Sequence, residues 1–281
     1  MVLTCIGTLG AILLLRGPTP SAPPTISWLG FPSVIDSLSC LDADRCVVVG
    51  AEGVDSGGGP PVAFVTTDGG TTWNLSDLPK SLGDATMTAV SCPTTTECLG
   101  LDSRGVLLVS SDGGLRWQVQ AKRVQGLDTA ISAIHSVQCL SPERCLALTG
   151  AGALRLTTDA GARWRTVALP TPGFIKFDTG LTEFDCPTAS ECVSVGSGET
   201  PNGGTELTLF SSFDGGGTWQ AFHLTTDLLG FPAPAVTCPT AEYCMVVAYK
   251  GDLANLVLVA SSLAFDGTAW SMGSPSASSR Y

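Results

Sequence analysis

One phrase returns along the chain, and a tryptophan closes each copy. It reads Thr66-x-Asp68-x-Gly70-x-Thr72-Trp73, then Ser110-x-Asp112-x-Gly114-x-Arg116-Trp117, then Thr157-x-Asp159-x-Gly161-x-Arg163-Trp164, then Ser212-x-Asp214-x-Gly216-x-Thr218-Trp219. A worn fifth copy keeps Asp266, Gly267 and Trp270. A fixed period of this length describes a stack of similar units, none of which can bury its apolar face alone.

A second series keeps step with the first. Cys40 and Cys46, Cys92 and Cys98, Cys139 and Cys145, Cys186 and Cys192, and Cys238 and Cys244 form five C-x5-C pairs. Each pair precedes its tryptophan by 19 to 27 residues, so one repeat carries one pair and one indole. A zinc site would gather four ligands in one place, whereas each pair stands alone in its own repeat. A disulfide within each repeat fits that spacing. Such bridges persist where thiols are oxidised, which predicts a chain exported to the cell envelope or beyond. Each closes a seven-residue loop, worth about 2 kcal/mol in the chain-entropy account.

Within residues 86–120 the pattern predicts four short strands: 86–91, 98–102, 106–110 and 117–120. The cysteine turn, Ser103-Arg104-Gly105 and the Asp-Gly-Gly of 112–114 separate them. No helical period is present. The aspartate of the recurring phrase can accept hydrogen bonds from N–H groups two or three residues on and lock a turn. The Ser or Thr two residues earlier can bond the same loop. The glycines supply backbone angles that a Cβ resists, and the tryptophan offers a large apolar face for burial. These aspartates read as structural.

Four-stranded units repeated radially make a β-propeller, which leaves only short edges unpaired. The phrase resembles the Asp-box, or BNR repeat, of the sialidase-like propeller superfamily. The cysteine pair in each repeat resembles exported bacterial propellers. The resemblance covers about residues 30–275 and implies an all-β propeller of five complete repeats. It also implies that the Asp-boxes lie on the face away from the usual binding side. Residues 276–281, mostly small and polar, read as a frayed tail.

Residues 1–29 allow two readings. One is an export or anchor segment, although a positive N-terminal region is lacking. The other is a partial sixth blade, because Cys5 to Gly17 followed by Trp28 resembles Cys145 to Thr157 followed by Trp164. This second reading also accounts for the eleventh cysteine.

Net charge is −11, with 14 Lys and Arg and no basic cluster, which argues against nucleic acid as a partner. A sialidase would need an arginine triad and an R-I-P phrase near the start, and the latter is absent. His135 and His223 fall in different repeats. No nucleophile elbow, zinc-helix or phosphate-loop motif is present, and no cofactor or metal site is predicted. Loop acids Asp128, Asp178, Glu199, Asp227 and Asp252 could face a binding side, as could Tyr249 in the channel. Variable loops opposite the Asp-boxes carry Lys122, Arg123, Phe174, Lys176, Phe177 and Phe231.

These features predict a monomeric, non-catalytic propeller that binds a protein or glycan on that face. A glycoside hydrolase with an unrecognised carboxylate pair is the alternative. Mass spectrometry without reductant should find five bridges within repeats and one free thiol, Cys5. Bridges between repeats would contradict the unit assignment.

Overall fold

The computed structural model describes residues 33–53, 59–121, 134–170, 180–199, 205–222, 224, 228–229, 234–250, 257–267 and 269–273. Among them lie five antiparallel sheets and no α-helix. Blade I is β1 (Ser33–Cys40), β2 (Cys46–Glu52), β3 (Pro61–Thr66) and β4 (Asn74–Leu75). Blade II is β5 (Met87–Ser91), β6 (Cys98–Asp102), β7 (Leu107–Ser110) and β8 (Gln118–Ala121). Blade III is β9 (Ile134–Cys139), β10 (Cys145–Thr149), β11 (Leu154–Thr157) and β12 (Arg165–Thr166). Blade IV is β13 (Leu181–Asp185), β14 (Cys192–Glu199), β15 (Thr205–Ser212) and β16 (Gln220–Phe222). In blade V a two-residue strand, β17 (Leu228–Leu229), and β18 (Ala235–Thr240) both pair with β19 (Tyr243–Lys250). Then come β20 (Val257–Phe265) and β21 (Trp270–Met272).

The first strands of successive blades touch, β1 on β5, β5 on β9 and β13 on β18, which places them innermost. The hydrophobic core is not one mass but a layer in each seam. Val49, Ala63 and Val65 of blade I meet Val90, Leu108 and Trp117 of blade II. Leu101 and Leu107 meet Val137 and Trp164. Leu148 and Leu156 meet Phe184 and Trp219. Val195 and Leu209 meet Val236 and Trp270. At roughly 2 kcal/mol per buried aliphatic side chain, one layer outweighs a single bridge.

The glycine two residues after the aspartate faces the preceding blade in the second, third and fourth Asp-boxes. A Cβ on Gly161 would lie 2.7 Å from Leu107, and on Gly216 2.6 Å from Leu146. Both also have positive φ, 86° and 79°, so glycine is required twice over. Gly70 meets only its own Trp73, which is half-buried, whereas Trp117, Trp164, Trp219 and Trp270 are buried. Val34 and Ile35 on β1 are exposed. Blade I thus has one uncovered flank among the described residues. The proposed partial blade of residues 1–29, with Cys5 and Trp28, lies outside the described residues, as does the tail.

Each seam is also hydrogen-bonded at one repeated position, the residue before the first cysteine. Ser39 Oγ accepts from the Cys92 N–H (3.0 Å), and Ser91 Oγ from Cys139 (2.8 Å). Gln138 Oε1 accepts from Cys186 (2.9 Å), and Asp185 Oδ2 from Cys238 (2.7 Å). All five cysteine pairs are bridged within their blades. The bridge therefore fixes the turn whose first amide the neighbouring blade grips.

Ser91→Ala should leave the Cys139 N–H buried without its acceptor and destabilise the fold by about 1–3 kcal/mol. Chemical denaturation measures this. Ser39→Ala, at a half-buried site, should lose less, and equal losses would refute the ranking.

Candidate binding clefts and buried acids

The strands alternate in direction, so cysteine turns and Asp-boxes share one face. Gly69 donates its N–H to Asp44 O, Gly113 to Thr96 O, Ala160 to Glu143 O and Gly215 to Ser190 O, which welds the two turns of each blade together. Within the box the Ser or Thr hydroxyl donates to the aspartate Oδ1 at 2.8–2.9 Å. The same hydroxyl accepts the glycine N–H at 2.8–3.0 Å. Oδ1 then accepts the N–H four residues on, from Thr72, Arg116, Arg163 and Thr218. That is one or two residues farther than the sequence suggests, because the hydroxyl and not the carboxylate takes the nearer amides. Trp117, Trp164 and Trp219 donate their indole N–H to Gly114, Gly161 and Gly216 O. The worn fifth copy departs, and Trp270 donates to Ser211 Oγ of blade IV at 2.8 Å.

Two clefts open on this face. The larger, about 450 Å³ between blades II and III, has Glu97, Asp112, Arg116 and Glu143 around an apolar floor of Leu99, Val109 and Cys139. The smaller, about 130 Å³ between blades I and II, is lined in part by Arg45, Leu115 and Gly113. The seam between blades III and IV is closed by Arg144. Its Nε donates to Gly215 O and its Nη2 to Asp214 O, both at 2.7 Å.

On the opposite face Asp102 ends β6 fully buried. Its Oδ1 accepts the Arg104 and Val106 N–H groups, and its Oδ2 pairs with the Arg104 guanidinium at 2.8 Å. Arg104 also donates to Leu82 O, which ties the loop after β4 to this turn. At the next seam but one, a Cβ on Gly152 would lie 2.6 Å from Gly180 Cα, so blades III and IV meet there backbone to backbone. His135 is exposed on β9, and Tyr249 is half-buried on β19. Asp128, Asp178, Asp227, Asp252, Lys122, Arg123, Phe174, Lys176, Phe177, Phe231 and His223 lie outside the described residues, as does the Glu199 side chain. Among the described residues no three His, Cys, Asp or Glu side chains converge as metal ligands.

Two further acids escaped sequence reasoning. Glu183 and Asp185 alternate along β13, both buried. Their signal was carboxylates in an otherwise apolar innermost strand. Burial pushes Glu183 up to about 7, against a weaker lowering by the Phe184 N–H, and the Asp185 charge adds to the rise. Burial also raises Asp185, although Cys238 N–H, Thr237 Oγ1 and Gln138 Nε2 bond it. Ser136 Oγ, one blade back at the position matching Glu183, is buried without a hydrogen-bond partner. The solvated box acids shift the other way. Asp68 is lowered by the Thr72 hydroxyl and N–H, and Asp159 by the Arg163 N–H and the Thr157 hydroxyl.

A model of the BNR/Asp-box repeat matches residues 64–75. A solved structure of YCF48 bound to D1 peptide is similar to 92% of this chain and 74% of its own, at 18% identity and a TM-score of 0.57. YCF48 from Cyanidioschyzon merolae is similar over 87% of this chain and 86% of its own, at 14% identity and a TM-score of 0.52. The GH74 xyloglucanase from Xanthomonas campestris matches 86% of this chain at 16% identity and a TM-score of 0.57; the chain spans 38% of its length. No curated protein matches. At these identities the likeness is one of fold: the chain is a β-propeller that carries a BNR/Asp-box repeat at residues 64–75.

The unfolded chain releases the Glu183 proton near its ordinary value of 4.5, and the native chain holds it to about 7. Stability should therefore fall as pH rises from about 4.5 through about 7, by about 3 kcal/mol from this group. Below that window it should fall again as Asp68 and Asp159 protonate. Denaturation of Glu183→Gln across this range should show the upper slope flattened. An unchanged slope would contradict the assignment.

Proposed function

We propose that the chain is an exported, non-catalytic β-propeller that binds a protein or glycan on the face opposite the Asp-boxes. The observation that carries this reading is the fate of its buried acids. Among the described residues, Asp102, Glu183 and Asp185 each accept backbone N–H groups of the chain itself. Asp102 holds the turn after β6 and Asp185 holds a seam to blade V, which is the work of a scaffold, while Glu183 bonds the adjacent Phe184. Rigid blades with loops of variable length are a common arrangement for recognition. The peptide bound to the similar YCF48 structure supports the protein-binding half of the reading. Five disulfides suit an oxidising compartment, which supports export.

A glycoside hydrolase is the second reading. Glu97 and Glu143 both line the cleft between blades II and III, and the similar xyloglucanase suggests the substrate class. Two carboxylates across a cleft are the minimum for such chemistry. A glycan array and a peptide library, run beside a hydrolysis assay on β-linked polysaccharides, separate the two. Saturable binding without turnover is expected. Hydrolysis abolished by Glu97→Gln or Glu143→Gln would replace the scaffold reading with the enzymatic one.

A further inference from the structure

The residue before the second cysteine stands at the rim of three seams among the described residues, as Arg45, Glu97 and Arg144. Along the chain it is Arg45, Glu97, Arg144, Glu191 and Tyr243. Where it is Arg144, its guanidinium crosses to the next blade and closes the seam on the Asp214 and Gly215 carbonyls. Where it is Arg45, a cleft of about 130 Å³ remains. Where it is Glu97, the cleft is about 450 Å³. Glu97 cannot donate to the carbonyls opposite. It folds back on its own turn, its N–H donating to Thr94 Oγ1 (2.9 Å) and its Oε2 accepting from that hydroxyl (3.3 Å).

The facing Asp-box is altered to match. The residue after its aspartate is Ala160, where the other full copies have glycine, and Ala160 keeps the positive φ of 56°. A non-glycine residue rarely holds that conformation. A Cβ at the equivalent Gly215 would lie 2.7 Å from Arg144 Nε. The Ala160 methyl thus fills the path an internal guanidinium would take. This seam lacks the closing side chain and has no room for one entering from its own turn.

What remains is an anionic slot with an apolar base. Glu97, Asp112 and Glu143 outnumber Arg116 at its walls, and Leu99 and Val109 form part of the floor. Asp112 Oδ1 is taken by Ser110 and the Arg116 N–H, and Glu143 Oε2 accepts only a serine hydroxyl, Ser141, at 3.1 Å. The slot therefore offers carboxylates to a planar, multidentate cation and a greasy track to its methylene stem.

We propose that the cleft between blades II and III is a docking site for an arginine side chain of a partner polypeptide. The guest enters from solvent and its guanidinium engages Glu97 and Glu143. The net charge of −11 favours the encounter. This site is separate from the ligand surface proposed on the opposite face, so either can fail without the other.

The test is an amide-resolved NMR titration of the full chain with blocked Gly-Gly-Arg-Gly-Gly, and with the same peptide carrying neutral citrulline. The arginine peptide should shift the Glu97, Leu99, Gln118, Glu143 and Ala160 amides saturably. Citrulline should not. Glu97→Gln with Glu143→Gln should weaken the response at least tenfold. Glu97→Arg with Ala160→Gly should rebuild the internal closure, abolish peptide shifts and raise the melting temperature. The parent spectrum's dispersion checks that each variant folds. No saturable shift, an equal response to citrulline, shifts confined to the opposite face, or undiminished binding by the rebuilt seam would each overturn the proposal.

Discussion

Neighbouring blades depend on one backbone amide. The first cysteine of each bridged turn donates its N–H to the side chain that precedes the first cysteine of the blade before it. This works only if the turn holds still, and the bridge, the Asp-box weld and the buried indole all constrain the same few residues. The apolar layers supply most of the free energy. The amide grip sets where each layer sits, because a hydrogen bond tolerates little misplacement.

The repeat was legible because everything that defines it is local. A C-x5-C turn and an aspartate-held bend need only residues close in sequence, so they leave a periodic trace. The seam acceptors leave none. Ser39, Ser91, Gln138 and Asp185 share one job through three chemistries, since any oxygen at that reach will serve. Glu183 gave only a faint signal because its raised pKa comes first from burial, which appears only in the folded chain. The same holds for the clefts. Arg45, Glu97 and Arg144 occupy one position in the repeat, yet what each does depends on an Asp-box some sixty to seventy residues away. Variation inside a repeat carries the information that the repeat itself suppresses.

Arg144 and Glu97 show how such a scaffold differentiates. The cysteine turn and the Asp-box are kept, so stability is little affected at the rim. The side chain before the second cysteine and the residue it faces in the next Asp-box together decide whether a seam is shut or open. Opposite Glu97, Ala160 accepts an unfavourable backbone angle, a local concession of the kind found where a site has been shaped.

The flank of blade I that no described residue covers bears on how the molecule meets reducing agents. In blades III, IV and V both sulfur-bearing residues of each bridge are buried, and in blade II one of them is. Cys40 and Cys46 are each only half-buried. Thiol attack needs a line of approach to sulfur, and among the described residues the first bridge offers the most open one. Packing thus grades the shelter of the five sulfur pairs from the first blade to the later ones.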